Sequence, residues 1–327
     1  MLIAPPGCMK TELVRALDGQ ARTHLIDTVT PRTFLSGQIT EPGRRRSGDT
    51  VRPASLLHRI GGDGLIVCPD FSTVLGMKFE DRKAVLADLR RIYDGQLRKE
   101  FGTSEEAPEW RGRLTVLVAA TPEVDRHYAI FQTLGERLIQ IRMARFGEEA
   151  ALKAMNQDLR RTHDDLRSAV HDLLNDLPGG EPEVSEPMQR SLVQLAEFVV
   201  RARTHVPRDR SKAIVDVPEP EALTRLSQQL CQLAKGLARL QHRRTVIEAD
   251  LKDLRRAGLD CLTAARRSVV LELIDGTRRD VRLPGSTKTY AVQDLQELGL
   301  VTKHGKFSSE VKLSDLSLTL LEGAGLR

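Results

Sequence analysis

Aromatic side chains are scarce in this 327-residue chain, with eight Phe, three Tyr and one Trp. That argues against a groove lined with rings for stacking sugars or single-stranded bases. Long apolar runs are missing as well. No stretch approaches the roughly 20 apolar residues that cross a bilayer, so no membrane-spanning protein is expected. The start, MLIAPPGCMK, lacks a basic segment, a long apolar core and a small-residue cleavage site, so secretion is not expected. Only four cysteines occur (Cys8, Cys68, Cys231, Cys261), far apart and without a CxxC. They argue against a zinc finger or a disulfide scaffold and fit reduced thiols in a cytoplasmic protein. His127 and His163 have no ligand partners at metal spacing, and no Ser/His/Asp or Cys/His nucleophile motif is present. Neither sign of charge dominates: 50 Lys+Arg against 45 Asp+Glu leave a net +5. That balance permits an anionic partner without requiring one.

What is there divides into three parts, about what the length suggests. Residues 1–146 alternate short β-rich runs with helical stretches, the pattern of an α/β domain with a parallel sheet. The runs are Met1–Ala4, Thr23–Ile26, Thr33–Ser36, Gly64–Cys68, Leu114–Ala120 and Leu138–Met143. Leu65-Ile66-Val67-Cys68 and Leu114–Ala120 read as strands buried on both faces. Val85, Leu86, Leu89 and Ile92 recur at helical spacing within Glu80–Ile92. Gly37–Pro53, rich in Gly, reads as a long loop. Residues 147–259 lose the strand signal, and leucines recur at helical spacing on both sides of a linker at 177–187. Those helices fit a bundle or a coiled-coil arm. Residues 260–327 read as helix (Arg266–Ile274), a β-like run (Arg279–Leu283), helix (Thr287–Leu298) and a hairpin over 300–314, the order of a winged helix.

The segment Ala4-Pro5-Pro6-Gly7-Cys8-Met9-Lys10-Thr11 follows an apolar run and precedes a helix read over Glu12–Leu17. A phosphate-binding loop reads GxxxxGK[ST] in that setting: backbone amides cradle phosphate, Lys reaches the terminal phosphates and the hydroxyl holds Mg²⁺. Here Lys10-Thr11 and the setting agree, while Ala4 and Met9 replace the two glycines. The bland alternative is a Pro-Gly turn followed by a surface lysine. A second run, Gly64–Asp70, ends in a carboxylate where nucleotide sites of open α/β sheets lie. Asp70 is thus a candidate Mg²⁺ ligand beside Thr11, and the residue after it is Phe71.

Taken in order, these segments resemble AAA+ P-loop ATPases over about residues 1–260. WRGRLTVLVAATPEVDRHYAIFQTLGERL (110–138) and PDFSTVLGM (69–77) are similar to ATPases of phage and other mobile elements, distantly helicase-like and minichromosome-maintenance-like. The resemblance implies ATP and Mg²⁺ as cofactors, with Pro6, Gly7, Cys8, Met9, Lys10 and Thr11 around the phosphates. It implies catalytic roles for Asp70, for Thr121 as the sensor-1 group, for Arg137 as an arginine finger toward a neighbouring subunit, and for Arg225 as a sensor-2 arginine. It also implies a homo-oligomer (a ring in such families), a helical lid at 147–259, and chain upstream of Met1. The family usually has Glu after the Walker-B Asp. Phe71 at that place leaves open a nucleotide-binding switch that does not hydrolyse.

DNA is the expected partner. In such rings the loop after the second strand faces the pore, which would set Arg44, Arg45 and Arg46 on phosphates. A hairpin within Gln96–Arg113 carries Arg98, Lys99, Arg111 and Arg113. On the helix at 287–298, Val292, Leu295 and Leu298 fall on one face, which leaves Lys288, Tyr290 and Gln293 free for phosphates or base edges. Lys303, His304 and Lys306 would mark the tip of a wing. Asp294 and Glu297 would repel phosphate, which keeps a protein-docking domain as a rival reading; a transcription regulator, dimerised through the helical middle and binding duplex without ATP, is another.

Overall fold

The computed structural model describes residues 1–35, 55–100, 108–133, 136–156, 158–276, 285–303 and 310–327. In chain order it has β1 (Leu2–Ile3), α1 (Lys10–Arg15), β2 (Thr23–Leu25), α2 (Leu56–Ile60), β3 (Asp63–Cys68), α3 (Ser72–Leu75) and α4 (Phe79–Tyr93). Then come β4 (Gln96–Arg98), β5 (Glu109–Arg111), β6 (Arg113–Ala120), a 3₁₀ helix (Pro122–His127), α5 (Tyr128–Thr133) and β7 (Ile141–Arg142). The helical part has α6 (Glu148–Met155), α7 (Leu159–Asn175), α8 (Glu186–Ala202), α9 (Thr224–Leu240) and α10 (Glu248–Asp260). The chain closes with α11 (Ala264–Asp275), α12 (Gly285–Glu297), β8 (Val301–Lys303), β9 (Val311–Leu313) and α13 (Asp315–Gly323).

Five strands form one parallel sheet in the order β2-β3-β6-β1-β7, so the fold is α/β with many added helices. β3 and β6 make its centre, in register from Asp63↔Arg113 to Cys68↔Val118. Their apolar runs are buried at Ile66, Val67, Cys68, Val118, Ala119 and Ala120, as strands covered on both faces must be. β4 and β5 pair antiparallel as a hairpin before β6. Gly112 closes its base: a Cβ there would sit 1.9 Å from the Gly62 carbonyl oxygen, so only glycine fits.

The chain forms two compact units, one mainly Met1–Ile130 with Met143–Asp172, the other mainly Leu138–Arg142 with Leu173–Arg327. In the second unit one apolar core runs from Leu195 and Phe198 of α8 through Leu226 and Leu230 of α9 and Leu254 of α10. It continues to Leu295 of α12 and Leu321 of α13. Helices α8, α9 and α10 therefore pack as a bundle rather than an isolated arm. No described helix is long and apolar enough to cross a membrane.

Two local expectations change, and one helix is added. Residues 33–35 do not form a strand. Phe34 and Leu35 are buried, but the carbonyls of Thr33 and Phe34 accept the Leu56 and Leu57 N–H groups and so anchor the start of α2. The run at 138–143 forms a strand only over Ile141–Arg142; just before it the Gln140 N–H goes to the Cys261 sulfur at 3.4 Å. Helix α13, for which no signal was read, packs on α8 and is capped by Ser314, whose hydroxyl accepts the Ser317 N–H at 3.2 Å. The β-like run at 279–283 lies outside the described residues.

Candidate phosphate-binding site

The order of the sheet decides what lies at its carboxyl edge. β6 sits between β1 and β3, so the loop after β1, Thr121 after β6 and Asp70 after β3 emerge side by side. The end of β6 pins both neighbours. The Ala119 carbonyl accepts the Phe71 N–H at 2.8 Å, and the Ala120 carbonyl accepts the Ala4 N–H at 3.2 Å. Two alanines there leave room for both loops to close in.

The loop Ala4–Met9 turns through two left-handed residues, Gly7 (φ 78°) and Met9 (φ 52°, ψ 13°). Glycine reaches that region freely; methionine does so at a cost of about 1–2 kcal/mol. Met9 thus holds the conformation that glycine supplies in the standard motif, and its carbonyl starts α1 by accepting the Leu13 N–H at 3.0 Å. Helix α1 is fixed to the sheet by Val14, which packs against Val67 and Ala119. Cys8 is buried, while Pro6, Gly7 and Met9 face solvent and Thr11 is half-buried.

Lys10 is the unusual member. It is only 8% exposed, and among the described residues its ammonium makes one hydrogen bond, to the Pro5 carbonyl at 3.4 Å. An ammonium has three donors, and burying it with one long acceptor is costly unless an anion completes the set.

Asp70 is exposed at the end of β3, and its Oδ1 accepts the Ser72 N–H at 3.0 Å. Ser72 then reaches Thr121: its Oγ accepts the Thr121 N–H at 3.3 Å and lies 3.5 Å from the Thr121 hydroxyl. No motif marks Ser72 as a site residue, although an Asp two residues before a Ser is an ordinary turn signal. Phe71 is fully buried, so the position after Asp70 belongs to the core. Cys68 is pushed up to about 11, by burial first and by the Asp70 charge among lesser causes, and is an inert neutral thiol.

Arg137 lies in the same unit as the loop. It makes a bidentate contact to Asp94 (3.0 and 3.1 Å), and its guanidinium lies 5.6 Å from the centre of the Tyr93 ring. Arg225 belongs to the second unit and bonds Glu221 at 3.1 Å; Glu221 is also the partner of buried Arg203.

Of the expected DNA contacts, Arg44, Arg45, Arg46, His304 and Lys306 lie outside the described residues. In the hairpin Arg98 pairs with Glu100, Arg111 with Glu109 and Lys99 with buried Asp88. On α12 the three side chains expected to be free are engaged. Lys288 bonds Glu272 at 2.6 Å, the Tyr290 ring lies 4.7 Å from the Arg208 guanidinium, and Gln293 accepts from Arg208 at 3.2 Å.

Among the described residues no group of three or more His, Cys, Asp or Glu could hold a metal ion. Magnesium on phosphates needs less, since one or two protein oxygens with phosphate and water complete its shell. The sequence matches no protein-family model, and no curated protein matches it.

Proposed function

We propose that the chain is a AAA+-like P-loop protein that binds Mg-ATP between β1 and α1 and couples the nucleotide to work on DNA in a mobile element. The observation that carries this is Lys10, a buried ammonium short of acceptors in a loop whose backbone keeps glycine-like turns at Gly7 and Met9. The shared carboxyl edge of β1, β6 and β3 supports it, as such edges hold ligands in open α/β sheets.

In this reading the loop amides and Lys10 bind the phosphates, and Thr11 and Asp70 hold the Mg²⁺, which neutralises phosphate charge. Ser72 orients Asp70 and Thr121. Turnover then requires assembly, with Arg137 leaving Asp94 to act on a neighbour's nucleotide. A second reading has a specific observation in its favour. Phe71 is buried where a water-activating Glu is usual, which suits a switch that binds and releases nucleotide without hydrolysis.

Steady-state ATP turnover, measured with and without DNA, tests the proposal. The expected result is a specific rate that rises with protein concentration. In Arg137→Ala it falls by roughly 10³-fold or more while ATP binding persists. Binding without turnover under every condition selects the switch. A rate independent of concentration and of Arg137 contradicts the assembled-enzyme reading.

A further inference from the structure

Ahead of α9, residues 207–215 form a tight two-sided turn. The Asp209 N–H donates to the Ala213 carbonyl at 2.9 Å and the Val215 N–H to the Pro207 carbonyl at 3.0 Å, and Arg208 bridges antiparallel to Ile214. The exposed Asp209 carboxylate is held within the turn, where it accepts the Ser211 hydroxyl at 2.7 Å and the Ala213 N–H at 2.9 Å and keeps its negative charge. Those bonds hold its carboxyl below the usual carboxylate range, the Ser211 hydroxyl first. Arg210 and Lys212 are left exposed at the tip.

Arg208 rivets this turn to α12. One nitrogen donates to the Lys212 carbonyl (2.8 Å) and to Gln293 (3.2 Å), the other to Asp294 (2.6 Å), and the guanidinium lies over the Tyr290 ring. Asp294 is bonded from its other oxygen by buried Arg266 at 2.9 Å. The acid that would repel phosphate is therefore half-buried between two arginines. Beside the turn, α12 presents Ser286, Thr289 and Gln296, with Gln293, whose oxygen holds Arg208 while its amide N–H groups bond no described residue; all four are exposed and on one face by helical spacing. Hydroxyl and amide side chains are those that pair with base edges in a major groove. Glu297 is exposed at the far end.

We propose that the 208–213 turn and the Ser286/Thr289/Gln293/Gln296 stripe of α12 form one surface for duplex DNA. Arg210 and Lys212 contact backbone phosphates, and the stripe faces base edges. This rests on the reading of DNA as the partner and is independent of the phosphate loop.

The test is a salt titration of the full chain against a fluorescent mixed-sequence duplex. It compares wild type, Arg210→Gln/Lys212→Gln, and a control with two exposed cations removed from α8 and α10, Arg190→Gln/Lys252→Gln. Two lost phosphate contacts make the slope of log affinity against log salt shallower by about 1.8, about 0.9 each, and the control keeps the wild-type slope. An unchanged slope in the turn variant, or an equal fall in the control, overturns the surface. A second arm selects bound sequences from a randomised duplex pool. Wild type enriches a sequence, and Thr289→Ala/Gln296→Ala loses that enrichment with the salt slope intact. Selection of the same sequences by both, or of none by wild type, overturns the base-reading role. Absence of any duplex binding by wild type overturns the DNA reading itself, while nucleotide binding by the same preparation leaves the phosphate loop standing.

Discussion

Met9 shows how one residue can break a motif yet keep its geometry. By letters it departs from GxxxxGK[ST]; by backbone it sits at φ 52° and does what glycine does. A torsion angle has no letter in the sequence, so the departure and its compensation were not separable until the loop was seen. Met9→Gly should release the left-handed strain, partly offset by a freer unfolded chain, and stabilise the protein by about 0.5–1 kcal/mol. Denaturant unfolding checks this, and nucleotide affinity should be retained. His205 gives a second prediction. Burial first, then repulsion from Arg266, lowers its pKa below 6.5, against an opposing pull from Asp294. As pH falls through 6.5 the unfolded chain takes up a proton that the folded one resists, so folded stability falls. The melting temperature of His205→Gln should drop less than that of wild type between pH 7.5 and 5.5. Equal drops would remove His205 from the acid sensitivity.

Among the elements, β3 and β6 were legible because a strand buried on both faces writes an uninterrupted apolar run. Helix α4 was legible from its spacing, and the β4–β5 hairpin from its place before β6. Strand order was not legible, since parallel pairing joins residues far apart and leaves no local pattern. It is this order that sets Asp70, Thr121 and the loop on one edge. The engagement of α12 was hidden for the same reason. Arg208 lies more than 80 residues from Tyr290 and Asp294 in sequence. Arg208→Ala should cost about 3 kcal/mol, as expected when one partner of a largely buried ion pair is removed. Arg208→Lys should rescue little, because an ammonium cannot stack on Tyr290 and donate to Asp294, Gln293 and Lys212 together. Full rescue by Lys would reduce the rivet to a simple charge contact.

At the scale of the whole molecule, composition changes at 259 while the apolar core of the second unit runs on from α8 to α13. Hydrophobic spacing reveals that a helix has a buried face without saying which helix covers it, and so the choice between arm and bundle waited on packing. The first unit carries the loop, Asp70, Thr121 and Arg137; the second carries Arg225 and the α12 surface. Everything proposed for the nucleotide hangs on Lys10. The most direct measurement is equilibrium binding of a fluorescent ATP analogue, with Mg²⁺, to the full chain and to Lys10→Ala, with matched circular dichroism as the control for folding. The account predicts saturable binding by wild type and a loss of about tenfold to a hundredfold in Lys10→Ala, the worth of one charge-assisted phosphate contact. Equal affinity of the two proteins, or no binding by wild type, would contradict it.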